Sequence, residues 1–92
     1  MDVQTFEREL EQQGFSAPLP GHYAPGQFND THAHGFEVRG LVTAGEMTIT
    51  PQGAPARRYG PGDVFVMALD MPHQERVGPE GCSYIWGRTP PA

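Results

Sequence analysis

Ninety-two residues carry eleven acidic and six basic side chains, a net charge of −5, and their longest basic cluster is the pair Arg57 and Arg58, which excludes a polyanion such as nucleic acid as partner. A chain this short has room for one core, so a single domain over residues 1–92 is expected. Cys82 is the only cysteine, which excludes an internal disulfide and zinc motifs built on paired thiolates and suits a reducing compartment.

The amino terminus is charged, and no segment approaches the ~18 apolar residues that span a bilayer, so a cytoplasmic location without membrane contact is expected. The first element, within residues 1–14, is a helix. Asp2 caps it, Val3, Phe6 and Leu10 recur at helical spacing, and Gly14 supplies a left-handed stop with Phe15 closing back onto Leu10. From "PLPGHYAPG" onward, prolines and glycines fall every several residues, too often for further helices. Strands are expected near 20–24, 28–33, 36–43, 46–50, 63–67, 73–78 and 82–88, with Val42, Met47, Ile49, Val64, Val66 and Ile85 in period-two alternation. About seven antiparallel strands over residues 20–88 make an all-β sandwich or small barrel.

Within this frame "DTHAHGFEVRG" holds the chemistry. Side chains two apart on a strand share a face, so His32 and His34 present their imidazoles together. Glu37 has the other parity and shares its face with Arg39 and Leu41, unless a bulge at Gly35 turns it inward. Glu75 lies two residues beyond His73 and shares its face, as a general base or as a carboxylate that orients an imidazole. His22, flanked by proline and glycine, reads as a surface histidine, and Tyr23, Phe28, Phe36, Tyr84 and Trp86 are aromatic candidates for a barrel mouth or its core. Arg39 is a candidate anchor for a substrate carboxylate.

"GQFNDTHAHGFEVRGLVTAG" resembles the first motif of the cupin superfamily: Gly26, five residues, His32-x-His34, then Gly45. "GDVFVMALDMPH" is similar to the second, with Gly62, a five-residue strand, a turn and His73. The two motifs and the segment between them cover about half the chain, in the family's order. Ala68 and Asp70 stand where the family usually has proline and glycine, Val77 where it often has asparagine, and Val38 and Arg39 where it places a glutamate ligand.

The resemblance implies a cupin-type antiparallel barrel, or jelly roll, with a mononuclear metal held by His32, His34 and His73; Glu37, one place before the family's glutamate, is a candidate fourth ligand if Gly35 bulges the strand. Three imidazoles suit iron, nickel, manganese, cobalt or zinc alike and leave coordination positions open. The family includes dioxygenases, isomerases, lyases and decarboxylases, so a metal-dependent enzyme acting on a small organic molecule is the expected function. A non-catalytic module that binds or senses a metal or a small ligand is the alternative. Edge strands left exposed by so small a sandwich point to a homodimer.

Overall fold

The computed structural model describes residues 1–89. The helix α1 spans Val3–Gln12, and the Asp2 side chain accepts the Thr5 N–H at 2.8 Å. At its far end Gly14 takes φ 78°, the Phe15 N–H reaches the Leu10 carbonyl at 2.9 Å and the Gly14 N–H reaches that of Glu11 at 3.2 Å. This pair of bonds is the glycine-terminated helix end read from the sequence.

Six strands follow: β1 (Leu19–Tyr23), β2 (Phe28–His32), β3 (Glu37–Pro51), β4 (Arg57–Tyr59), β5 (Val64–Met67) and β6 (His73–Thr89). All pairings are antiparallel, in the order β1-β6-β3-β4, with β2 also on β6 and β5 also on β3. The expected strands 36–43 and 46–50 are one strand, and so are 73–78 and 82–88. Gly45 and the Gly78–Gly81 segment bend the paired strands without ending them, which shows as register shifts between Val42 and Ala44 and between Gly45 and Met47. Gly45, at φ 73°, packs its Cα so closely against the Gly81 carbonyl that no side chain fits between them.

The long β3–β6 ribbon is apolar on both faces, and each face covers a different cluster. On one, Leu41 packs with Phe6 and Leu10 of α1, joined by Phe15, Val64 and Ile85. On the other, Val38, Val42, Met47, Ile49, Phe65, Met67, Val77 and Cys82 form the larger core. In β5 the residues buried in that core are Phe65 and Met67; Val64 turns toward the helix and Val66 is exposed, which corrects the expected grouping of the two valines. The result is an all-β cupin fold with a short N-terminal helix.

Candidate metal centre and adjoining cavity

β2 and β6 bring the first two histidines to the third. Asn29 pairs with Glu75 and His32 with His73, so β2 carries one residue more than β6 between the same two rungs. That bulge at Asp30–Thr31 sets Asn29 and His32, three apart in sequence, on one side toward Glu75. His34 lies just beyond β2, and its carbonyl accepts the Asp70 N–H at 2.9 Å, which ties the first histidine segment to the turn before His73. Asp70 takes φ 57° in that turn, a conformation aspartate tolerates better than most residues, so it can stand where the resemblance expects glycine.

The candidate ligand nitrogens of His32, His34 and His73 all lie within 4.8 Å of one another. The ring centroids are 5.1 Å apart for His32 and His34, 4.4 Å for His32 and His73, and 5.3 Å for His34 and His73. His32 Nδ1 lies 2.8 Å from the Asp30 carbonyl and His73 Nδ1 lies 3.0 Å from that of Met71. A carbonyl only accepts, so both Nδ1 atoms carry the proton and both Nε2 atoms present a lone pair. His73 is 2% exposed, and its Nε2 is buried without a partner. A second mismatch adjoins it: His32 Nε2 stands 3.5 Å from Glu75 Oε1. In that tautomer both atoms present lone pairs, a mismatch that a positive charge held beside them by the histidines relieves. The donor set therefore fits a divalent metal ion on its own chemistry.

Glu75, 1% exposed, accepts a hydrogen bond from Asn29 Nδ2 at 3.1 Å, and Asn29 in turn accepts one from Gln27 Nε2 at 2.9 Å. Glu37 is not brought to the histidines. It pairs with Thr89 at the start of β3, on the face that carries Arg39 and the helix, while Phe36 and Val38 turn toward His34. Gly35 does not take the positive φ that would have redirected Glu37, and it lies in the irregular segment between β2 and β3.

Beside the histidines lies a cavity of about 100 Å³ lined by His34, Glu75 and a largely apolar wall of Tyr23, Phe36, Val38, Met47, Phe65, Met67, Tyr84 and Trp86. Four of the five aromatic candidates thus line it; Phe28 is 43% exposed and lies under Arg76. Arg39, the candidate anchor, faces away and bonds Gln13 Oε1 at 2.8 Å and Glu9 at 3.7 Å. His22 is exposed, with Nδ1 3.0 Å from Ser83 Oγ. Burial, then the Tyr84 hydroxyl and the Glu75 carboxylate, hold the Tyr23 hydroxyl far above its usual pKa, and burial raises that of Tyr84. Burial, followed by the neighbouring His73 and His32, lowers that of His34. Asn29 was not anticipated from sequence, because its role depends on a bulge that no single residue announces.

No family model and no curated protein matches the chain. Solved structures do. A protein of unknown function from Rhizobium leguminosarum bv. viciae 3841 superposes with TM-score 0.74 at 20% identity, covering 98% of this chain and 96% of that one. An RmlC-like cupin from Shewanella frigidimarina NCIMB 400 does so with TM-score 0.69 at 21% identity, covering 84% and 68%. The DMSP lyase DddQ from Ruegeria pomeroyi DSS-3 gives TM-score 0.69 at 26% identity over 82% of this chain. The chain spans only 37% and 39% of the lengths of the two DMSP lyase structures it matches. The chain thus has the fold of the small cupins.

Proposed function

We propose that the domain holds one divalent first-row metal ion, of iron, nickel, manganese, cobalt or zinc, through Nε2 of His32, His34 and His73, and that it is a metal-dependent enzyme acting on a small organic molecule. The observation that carries this reading is the buried, partnerless Nε2 of His73, fixed as a lone pair by the Met71 carbonyl and turned to two further histidines. An ion so bound supplies Lewis-acid polarisation of a substrate oxygen, activation of water or, for iron, a place for O₂.

The chain's own groups do the rest. The apolar wall admits a small substrate and excludes water from it. Glu75, held by Asn29, stands in that wall with one carboxylate edge toward the histidines, where it takes a proton from substrate or water as general base. Tyr23 and Tyr84 keep their protons and serve as donors to a substrate oxygen. That a similar structure is a lyase accords with a reaction of the dioxygenase, isomerase, lyase or decarboxylase type. The proposal includes a cytoplasmic location and a homodimer, the dimer supported by exposed Val66 on the edge strand β5 and by Leu69 and Met71 in the turn after it.

Elemental analysis of tag-free protein tests the metal. About one ion per chain is expected, falling below roughly a tenth in His73→Ala, and an equally low content in the wild type would refute the reading. A monomer by light scattering at micromolar concentration would refute the dimer.

A further inference from the structure

Six arginines supply all the positive side chains of this acidic protein, and one of them lies over Phe36, a residue of the cavity wall. Arg88 of β6 pairs with Val38 of β3, which pairs in turn with Met67 of β5. Directly opposed residues of antiparallel strands share a face, and Val38 and Met67 both line the cavity. Arg88 therefore rises from the cavity side of the sheet, two residues beyond Trp86 on the same face. Its guanidinium lies over the Phe36 ring at 5.0 Å, and Phe36 stacks on His34 with centroids 5.2 Å apart. The backbone beneath is fixed on the other edge, where the Arg88 N–H donates to Ser16 Oγ at 3.0 Å and its carbonyl accepts the Ser16 N–H at 2.8 Å.

Arg39 is tied to Glu9 and Arg58 to Glu46, whereas no carboxylate among the described residues pairs with Arg88. A guanidinium stacked on an aromatic ring is held in orientation by its face, and its edge N–H groups stay open to a planar two-oxygen partner. The cavity wall itself is largely apolar and carries no arginine. The arginine at the rim and the apolar wall beneath it thus impose a direction: an anionic group stays at the rim and an uncharged body goes in.

We propose that Arg88 is the substrate anchor of this site and that the substrate is a small organic monocarboxylate. Its carboxylate pairs with the Arg88 guanidinium at the rim, and its uncharged remainder enters the cavity toward Glu75 and the histidines. This rests on the enzyme reading above for the word substrate, while the carboxylate pairing itself stands on the cavity and Arg88 alone.

Trp86 is the only tryptophan and lines the cavity, so its fluorescence reports occupancy. Butyrate and benzoate are titrated against butyramide and benzamide, on metal-stripped and on zinc-loaded protein. Each acid should bind about tenfold more tightly than its amide in both forms, a preference that Arg88→Gln removes and Arg88→Lys partly retains. Thermal melts confirm that both variants are folded. Equal affinity for acid and amide, an unchanged preference in Arg88→Gln, or no saturable response to any of the four would overturn the proposal. A preference seen only with zinc and surviving Arg88→Gln would also overturn it, because the metal would then hold the carboxylate. Should the protein retain no metal at all, the metal-stripped titration still decides the role of Arg88.

Discussion

Gly40 lies under the ring of Phe65, so close that a methyl group in its place would overlap the ring edge. The ring cannot retreat freely: it is 2% exposed, with Tyr84 edge-on at 5.7 Å and Tyr59 at 6.1 Å. Gly40→Ala forces one added carbon into a filled space, which costs about 1–3 kcal/mol in well-packed cores. Lower entropy of the unfolded chain returns about 0.4–1 kcal/mol, leaving a net loss of about 1–2 kcal/mol. For a domain of this size that lowers Tm by roughly 4–16 °C, read by circular dichroism. Because Phe65 lines the cavity, the displaced ring also narrows it, and Trp86 fluorescence should respond less to bound acids. Gly35→Ala is the control, since its added carbon meets nothing within 4 Å and its φ is not positive. Melting of Gly40→Ala within about 2 °C of the wild type would refute the packing argument.

Burial lowers the His34 pKa in the folded chain, with His73 and His32 adding to it, so the unfolded chain binds more protons and stability rises with pH. The metal-free domain should be at full strength above the unfolded histidine value of about 6.5 and weaken as pH falls from there through the lower folded value. Urea midpoints on either side of that value should differ less in His34→Gln, and an equal difference in both proteins would remove His34 as the cause. Glu75→Gln keeps the shape and a partner for Asn29, so metal content should hold while kcat on a turned-over substrate falls about 10²–10⁴-fold. Loss of metal with that change would make Glu75 a ligand instead. Cys82 is 1% exposed and its thiol is pushed up to about 11, by burial and then by Glu75, so thiol reagents at neutral pH should leave it unmodified until the domain unfolds. Labelling of native protein at the unfolded rate would contradict this.

Local rules served the reading well wherever one residue settles one conformation. Asp2 and Gly14 bound the helix as their chemistry requires, and His32 and His34 come together as their spacing suggests, although β2 ends at His32. The punctuation glycines were harder, because Gly45 and Gly81 have the composition of turns and act as bends within long paired strands. Strand β4 passed unnoticed, since Arg57–Tyr59 is short and charged and owes its pairing to Met47, Thr48 and Ile49 of β3. Arg39 was expected on the wrong face for a similar reason. Arg39 and Arg88 sit on opposite faces of one ribbon, and only the register of β6 against β3 says which face the helix covers.

The two rings whose tautomers are set by the chain share one device: His32 and His73 each donate Nδ1–H to the carbonyl two residues earlier, at Asp30 and Met71. Elsewhere a carboxylate side chain often plays that part, and a single substitution removes it. Here the acceptor is main chain, which every residue type provides. Positions 30 and 71 are therefore free to drift in side chain while the imidazoles keep their aim, so long as the backbone path survives. Sequence variation at these two places, and intolerance of anything that reroutes the chain through them, is the pattern such a centre would leave in its descendants.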